Sequence, residues 1–146
     1  MNNGFVNSEL KNNISTITFG TPKSNSLPGE ILEKLAQTIL DEGSKKEVKA
    51  ILLKSEGDKS FCAGADLNWM KRMKDYSHEE NVKDSQNLAE LFTVINRFSR
   101  PVIGKINGSA LGGGAGLVAC CDYVVAVDTA MIAFTEVRLG LLPAVI

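Results

Sequence analysis

The sequence predicts an α/β fold, because short apolar runs with strand character alternate with segments of helical periodicity. Residues 48–53 and 102–106 are near-continuous apolar runs, which are typical of strands covered on both faces. Apolar residues recur every three or four positions in residues 28–42 and 78–99, which predicts two amphipathic helices. Strands and helices that alternate in this way favour a sheet with helices packed against it.

The N-terminal part of the chain predicts a hairpin followed by the first helix. Residues 5–10 and 14–19 are two short strand-like runs joined by a polar turn, a pattern typical of a β-hairpin. A loop rich in turn residues follows at 20–28. Pro28 is then predicted to be the first helical residue, and Gly43 is predicted to end that helix.

The remaining elements follow from local signals. Residues 55–65 are polar and contain glycine, so they are predicted to be a loop, with Asp66 capping a short helix after it. The second buried strand runs through a glycine turn into a helix of small residues at 115–121. Two more short strands are predicted at 123–127 and 131–134.

Composition excludes several classes of function. The chain has 146 residues, of which 44% are hydrophobic and 23% charged, with a net charge of −1, so one globular domain over residues 1–146 is expected. The near-neutral charge gives no reason to expect a nucleic acid or membrane partner, and no apolar run approaches the roughly 18 residues of a membrane helix. Three cysteines make no disulfide framework, and no metal-ligand spacing is present, so a cytoplasmic protein without a metal is predicted.

One stretch stands out from the rest, PVIGKINGSALGGGAGLVACCD at residues 101–122. Three glycines, residues 112–114, lie between the predicted strand and the predicted helix. Bare backbone N–H groups at a helix start carry partial positive charge, and glycine lets an anionic oxygen approach them closely. The stretch therefore indicates a site that holds negative charge.

The glycine turn has three interpretations. The first is tight packing between strand and helix, which also favours glycine. The second is dinucleotide binding, since Gly114, Gly116 and Ala119 fit the pattern G-x-G-x-x-G/A, although these glycines come late in the chain, after strands that make no Rossmann start. The third is an oxyanion hole for a thioester, and it depends on a second motif upstream.

The second motif is FCAGADL at residues 61–67, in which small residues precede an aspartate at a predicted helix start. Two such turns can point two backbone amides at one oxygen. Together with the glycine triplet, this motif resembles the crotonase superfamily, the enoyl-CoA hydratases and isomerases. Further segments of the resemblance follow in the family's order: Asn25-Ser26-Leu27, residues 105–108, Cys121-Asp122 and residues 136–140.

The resemblance implies a spiral of β-β-α units that binds an acyl-CoA. Coenzyme A would enter as part of the substrate, so no separate cofactor is expected. The family continues its spiral and then adds helices that build homotrimers or dimers of trimers. By the same resemblance this chain is expected to be an N-terminal part, truncated before that helical region after residue 146, and a poor catalyst alone.

The resemblance also implies roles for individual residues. The amides of Ala65 and Gly113 match the pair that holds the thioester oxygen, and Glu136 matches a catalytic acid/base, the alternative being an exposed loop glutamate. Lys23 can meet a phosphate or be a solvated surface lysine. The full set of predicted substrate contacts is Lys23, Ser24, Ser26, Leu27, Ala63, Ala65, Asp66, Leu67, Gly112, Gly113, Gly116, Thr135 and Glu136.

The sequence departs from the family's pattern at Gly116. Typical hydratases have a second glutamate three residues after the oxyanion glycine, so a two-carboxylate mechanism cannot be assumed here. The missing side chain is expected to leave room for a bulkier acyl group or for water. The implied function is hydration of a 2-enoyl-CoA, of a branched methylglutaconyl type. The alternatives are double-bond isomerisation, thioester hydrolysis, decarboxylation and a non-catalytic CoA-binding role.

Trp69, Met70 and the only histidine, His78, are the other residues considered for the site. Trp69 and Met70 follow the first oxyanion motif, so they are predicted either to line the acyl pocket or to pack in the core. His78 stands at a predicted helix start and is interpreted as a surface residue.

Overall fold

A computed structural model describes residues 4–143 of the chain. Its helices and strands are, in chain order, β1 Phe5–Lys11, β2 Ile14–Gly20, α1 Gly29–Ser44, β3 Ala50–Ser55, β4 Ser60–Cys62, α2 Leu67–Met73, α3 His78–Asn96, β5 Val102–Ile106, β6 Ser109–Leu111, α4 Gly113–Cys120, β7 Tyr123–Ala126, β8 Ile132–Ala133 and a 3₁₀ helix Glu136–Leu139.

The strands form two sheets that the chain visits in alternation. The large sheet has the order β1-β2-β3-β5-β7 and the small sheet the order β4-β6-β8. Only the β1–β2 pair is antiparallel among the paired strands described. Each of β3, β5 and β7 is followed by one strand of the small sheet and then by helical structure. The chain therefore winds through three β-β-α units, which confirms the predicted spiral fold.

The predicted hairpin is confirmed, with each strand one residue longer than expected. Strands β1 and β2 pair from Phe5 opposite Gly20 to Lys11 opposite Ile14. The turn residue Asn12 has φ 51° and its neighbour also lies in the left-handed region, as a two-residue turn of the mirror-image type requires.

Both ends of α1 differ from the prediction. Pro28 is the residue that precedes the helix, with extended backbone, and α1 begins at Gly29. Gly43 lies inside the helix, which ends at Ser44. A Cβ on Gly43 would lie 2.5 Å from a ring carbon of Phe98. This glycine therefore makes room for an aromatic ring and does not end the helix.

Two strands lie where none was predicted. β4 falls within the segment 55–65, which had been predicted as a loop, and β6 follows the turn after β5. Each has only three residues, too few for a periodic pattern to show. The two strands pair with each other in parallel. They are therefore defined by a contact between residues that are distant in the sequence. Two later boundaries also differ from the prediction. Helix α3 ends at Asn96, where residue 99 was predicted, and α4 begins at Gly113, where residue 115 was predicted.

Helix α1 packs against the large sheet at β1 and β2 and also against α3, and the buried core includes side chains of both sheets and of these helices. Its centre includes an edge-to-face pair of Phe19 and Phe61 with ring centroids 5.5 Å apart. Full burial of each such large apolar side chain is worth about 1.5–3 kcal/mol. The largest fully buried side chains are Phe19, Phe61, Ile17, Leu27, Leu32, Leu35, Ile39, Ile51, Leu53, Leu91, Ile95 and Ile106.

Each sheet has an exposed strand at the edge that is formed last along the chain. β7 is the outermost strand of the large sheet and β8 that of the small sheet. Tyr123 and Val125 of β7 are 73% and 67% exposed. None of the helices within residues 4–143 combines the length and apolar character needed to cross a membrane.

Candidate functional site

The two predicted oxyanion turns lie directly against each other. Gly64 has φ +89°, and a Cβ there would be 2.9 Å from the carbonyl oxygen of Leu111 and 3.5 Å from the backbone nitrogen of Gly113. In return, a Cβ on Gly113 would be 3.9 Å from the Cα of Gly64. Bare backbone on both sides therefore brings the two loops into contact, as close backbone approach requires.

The N–H group of Ala65 is left free by the way its loop is held. Leu27 donates its N–H to the carbonyl of Gly64 at 2.8 Å, and Asp66 donates its N–H to the carbonyl of Leu27 at 3.3 Å. These two bonds form a parallel bridge between Leu27 and Ala65. Within residues 4–143, the amide of Ala65 itself donates to no protein acceptor.

The N–H group of Gly113 is free for a different reason. Gly112 has φ 53°, its N–H donates to the carbonyl of Ala133 at 2.9 Å, and its own carbonyl accepts the N–H groups of Ala115 and Gly116. Gly113 is the first residue of that helix, so its N–H has no acceptor within the helix. No other described residue accepts from it. Two free amides on touching turns form the arrangement that stabilises an oxyanion.

The carboxylate of Glu136 lies over the same glycine turn. Glu136 opens the 3₁₀ helix, and a Cβ on Gly112 would lie 2.9 Å from its Oε1. Its Oε2 is buried and has no hydrogen-bond partner among the described residues. Because buried polar atoms are nearly always satisfied, an unsatisfied carboxylate oxygen beside two free amides indicates a place where a bound molecule supplies the partner.

These groups share one cavity of about 410 Å³. Most of its lining is apolar, and Trp69 and Met70 belong to it, so the acyl-pocket interpretation of these two residues is supported. The predicted site residues that line this cavity are Leu27, Ala63, Ala65, Leu67, Gly112, Gly113, Thr135 and Glu136.

Three further predicted site residues line a second cavity of about 600 Å³, namely Lys23, Ser26 and Asp66. Trp69 lines both cavities, so the two adjoin at its indole ring. The second cavity carries charged side chains of both signs, whereas the first is largely apolar. A ligand with one polar and one apolar end can therefore occupy both.

Asp66 fixes the loop between the two cavities. Its Oδ1 accepts the N–H groups of Asn68 at 2.8 Å and Trp69 at 2.9 Å, which caps α2 as predicted. Its Oδ2 lies 3.6 Å from the Nζ of Lys23. Burial alone raises the pKa of the Asp66 carboxyl, but the two N–H donors and Lys23 outweigh it and hold the pKa below its usual value.

Ser24 does not reach either cavity, although it was predicted to contact the substrate. Its backbone carbonyl accepts the N–H of Ala63 at 3.1 Å. The neighbouring Asn25 donates from its side-chain amide to the carbonyls of Glu56 and Ser60, both at 2.8 Å. These two residues thus position the loop that precedes Ala65, and the support they give is structural.

The expectation that Gly116 leaves room for an acyl group or water is wrong. A Cβ on Gly116 would lie 2.6 Å from Cζ of Phe92, and Phe92 is only 7% exposed. The ring of Phe92 therefore fills the space, and Gly116 lies behind the cavity and not in its lining. The tight-packing interpretation of the glycines holds for this position.

Two residues of the site were not predicted from the sequence. Phe92 was recognised only as part of an apolar helix face, because its contact with Gly116 joins two helices. Arg138 lines the apolar cavity, and its position two residues after Glu136 on a short helical turn is the signal that could have revealed it. Among residues 4–143 no group of three or more His, Cys, Asp or Glu side chains comes together as a metal site would require.

The chain is similar to known proteins in sequence and in fold. The enoyl-CoA hydratase/isomerase family model matches residues 9–146. The chain is 33% identical over 144 residues to a short-chain-enoyl-CoA hydratase of Clostridium acetobutylicum, covering 98% of this chain and 53% of that protein. It is 31% identical over 136 residues to a crotonyl-CoA hydratase of Syntrophomonas wolfei, covering 92% of this chain and 51% of that protein.

A solved structure shows the same fold. The crystal structure of an enoyl-CoA hydratase from Shewanella pealeana superposes with a TM-score of 0.87 at 30% identity, over 99% of this chain and 54% of that one. The chain thus spans about half the length of the relatives that it matches. The match to the family model covers nearly all of the chain and includes both oxyanion turns and Glu136. On the strength of that match and the shared fold, the chain belongs to the enoyl-CoA hydratase/isomerase family.

Proposed function

We propose that the protein hydrates 2-enoyl-CoA thioesters. The observation that carries the proposal is the apposition of two free amides, those of Ala65 and Gly113, with the unsatisfied carboxylate of Glu136 in one apolar cavity. Negative charge collects on the thioester oxygen when a nucleophile adds at Cβ. Two fixed N–H donors stabilise that charge, and one such donor is typically worth about 10²–10³ in rate.

In the proposed reaction, Glu136 moves the protons. The carboxylate takes one proton from water as the water oxygen bonds to Cβ, and the electrons of the double bond move onto the thioester oxygen as an enolate. Return of a proton to Cα then restores the thioester, so water is added across the double bond. General acid–base catalysis of this kind contributes about 10²–10⁴ in rate.

The two cavities support the proposed class of substrate. The apolar cavity of about 410 Å³ suits an acyl chain, while the mixed-charge cavity with Lys23 suits the polar end of coenzyme A. The relatives from Clostridium and Syntrophomonas carry the names of hydratases of short enoyl-CoAs. We propose a short, branched acyl group of the methylglutaconyl type, with coenzyme A entering only as part of the substrate.

Isomerisation of a 3-enoyl-CoA to a 2-enoyl-CoA is the second candidate. It needs one carboxylate, which takes a proton from Cα and returns it to Cγ, and the same two amides stabilise the dienolate. The observation that favours it is the ring of Phe92, which fills the space beside Gly116 and leaves Glu136 as the one carboxylate among the described residues that lines this cavity.

A panel of acyl-CoAs separates the candidates by the absorbance of the conjugated enoyl thioester. Hydration lowers this absorbance with a 2-enoyl-CoA, and isomerisation raises it with a 3-enoyl-CoA. Release of free thiol would instead indicate thioester hydrolysis, and loss of carbon dioxide a decarboxylase. Measurable binding without any of these changes would refute both proposals and leave a CoA-binding role.

We also propose the setting in which the protein works. The described cysteines Cys62, Cys120 and Cys121 are free thiols, which supports a reducing cytoplasm. By the resemblance to its family, we propose that the complete protein assembles into a homotrimer or a dimer of trimers, with no nucleic acid or membrane partner. Light scattering of the complete protein measures that assembly directly.

A further inference from the structure

We propose that Asp84 is a positioning residue, whose carboxylate holds the indole ring of Trp69 at the junction of the two cavities and so shapes the apolar cavity for an acyl chain. The inference rests on the proposed function, since it takes an acyl-CoA as the ligand of both cavities. Trp69 lines both cavities and is only 7% exposed, so its side chain is a wall that they share. A change in the orientation of this ring therefore alters both cavities at once.

The backbone of Trp69 is fixed by the cap of its own helix. Trp69 is the third residue of α2, and its N–H donates to Oδ1 of Asp66 at 2.9 Å. This bond holds the start of the helix but leaves the choice among side-chain rotamers open. The orientation of the indole therefore depends on contacts that the ring itself makes.

Asp84 supplies such a contact from another helix. A Cβ on Gly29, the first residue of α1, would lie 3.5 Å from Oδ1 of Asp84 and 3.5 Å from Nε1 of Trp69. Both polar atoms therefore lie beside the start of α1, one carried by α3 and the other by α2. The carboxylate of Asp84 accepts a hydrogen bond from the Trp69 side chain, and a buried indole N–H usually has a partner of this kind.

The pKa of Asp84 moves in the opposite direction from that of Asp66. Oδ2 of Asp84 is buried and has no hydrogen-bond partner among the described residues. Burial raises the pKa of Asp84 and Glu33 on α1 raises it further, whereas the Trp69 hydrogen bond and Arg72 on α2 lower it, and the net shift is upward. Asp84 therefore loses its charge at a higher pH than an ordinary aspartate does. The charged residues that line this cavity are Lys23, Glu30, Glu33, Asp66, Arg72 and Asp84.

The fluorescence of Trp69 tests the contact without any ligand. Trp69 is the only tryptophan of the chain, so tryptophan emission reports on this one ring. We expect the emission to change as the pH falls through the pKa of Asp84, above its ordinary value of 3.8, because the charge beside the indole is then lost. Circular dichroism at the same pH should show a folded chain. Asp84→Asn should remove this transition, and the matched control Asp75→Asn, at an exposed position, should retain it.

Neighbouring charges identify the group that titrates. Glu33→Gln should move the midpoint of the emission change to lower pH and Arg72→Gln should move it to higher pH, because these are the directions in which the lost charges act on the pKa of Asp84. Asp66→Asn should keep the transition, since the pKa of Asp66 lies below 3.8. Absence of the transition in the parent protein, or its persistence in Asp84→Asn, overturns the inference.

Calorimetric titration with butyryl-CoA and with free coenzyme A tests what the contact does for a ligand. We expect Asp84→Ala to lower the affinity for butyryl-CoA relative to that for free coenzyme A by about 2- to 10-fold, the range for one net hydrogen bond. Asp84→Asn should lose less, because its amide oxygen can also accept the indole N–H. In the background of Trp69→Phe, which lacks that N–H, Asp84→Ala should cause little further loss, because the two residues act as one unit.

The outcomes separate this inference from the proposed hydration. Equal weakening of both ligands in Asp84→Ala, or full additivity of the Asp84→Ala and Trp69→Phe losses, overturns the role of Asp84. Neither the fluorescence nor the calorimetry depends on turnover. A chain that shows the emission change and the affinity changes but hydrates no enoyl-CoA therefore refutes the proposed hydration and supports the role of Asp84.

Discussion

The ring of Phe92 lies so close to Gly116 that a Cβ at position 116 would be 2.6 Å from its Cζ. Both residues are buried, one on α3 and the other on α4. The pair therefore joins α3 and α4, and α4 begins at the glycine turn. It also fills the space in which typical members of the resembled family have a second glutamate.

We expect Gly116→Glu to destabilise the protein and to bring no gain in activity. Overpacking of a core typically costs about 1–3 kcal/mol, and a charged group placed against the Phe92 ring adds a desolvation penalty. Urea unfolding measures the loss. In the double variant Gly116→Glu with Phe92→Ala, part of that loss should be recovered, because contacting residues are energetically coupled. Additive losses would show that the two positions do not compete for one space.

Glu136→Gln tests proton transfer. The change keeps the shape of the side chain and removes its basicity, so turnover of a 2-enoyl-CoA should fall by about 10²–10⁴ while binding of the thioester is retained. The exposed Glu90 on α3 offers a matched control, and Glu90→Gln should leave turnover unchanged. Retained turnover in Glu136→Gln would move the acid/base role to another group.

Substitution of Gly112 can distinguish an effect of backbone strain from an effect on catalysis. Gly112→Ala would place a Cβ 2.9 Å from Oε1 of Glu136, so the carboxylate must move, and a displacement of about 1 Å can cost about 10² in rate. Gly57 also has positive φ, but a Cβ there would meet nothing within 4 Å. Both alanine variants carry strain from a positive φ, and at Gly112, whose ψ of −122° lies outside the left-handed helical region, that strain should exceed the roughly 1–2 kcal/mol of a left-handed alanine. Only Gly112→Ala should lose activity beyond its loss of stability, as kcat and urea unfolding together will show.

Local pattern was enough to predict some parts of this fold. The cap at Asp66 was predicted because its signal lies within a few residues, and the start of α3 near residue 78 was predicted from the periodicity of its apolar residues. In α3, Ser77 and Glu80 form a capping box just before and inside the helix start at His78. The buried strand β5 was equally clear, since its whole apolar run lies between a proline and a turn.

Other parts depend on contacts that no local pattern contains. Strands β4 and β6 define each other by pairing Ser60 with Ser109, across a long stretch of chain. The role of Gly116 depends on the ring of Phe92, and the place of Arg138 beside the apolar cavity depends on the fold. The resemblance suggested the two amides of the proposed oxyanion site, but the contact of Gly64 with the glycine turn is a property of the folded chain.

The stability of the protein should depend on the ionisation of Asp66. Its folded-state pKa lies below the ordinary value of 3.8, so its contribution to stability is present above that value and is lost as the pH falls through the lowered pKa. At neutral pH, Asp66→Ala should cost about 0.5–2 kcal/mol, the range for a lost N-cap.

Urea unfolding between neutral pH and the acid range measures both effects. Asp66→Asn should keep most of the stability at neutral pH, because asparagine also caps helices well. In this variant the free energy of unfolding should no longer show the part of the pH dependence that Asp66 contributes. Asp58→Ala, at an exposed loop position, is the control and should behave like the parent protein. An unaltered acid profile in Asp66→Asn would assign the dependence to another carboxyl.

The edge strand β7 predicts how this chain behaves in solution. Val125 is 67% exposed on the outer strand of the large sheet, next to Tyr123, which is 73% exposed. Exposed apolar edge strands promote association, and a lysine on the edge opposes it. We therefore expect the chain to bind a hydrophobic dye and to associate with rising concentration. Val125→Lys should reduce both effects, whereas Val82→Lys, at an exposed position on α3, should change neither. Light scattering that shows a monomer across the concentration range, without dye binding, would contradict this expectation.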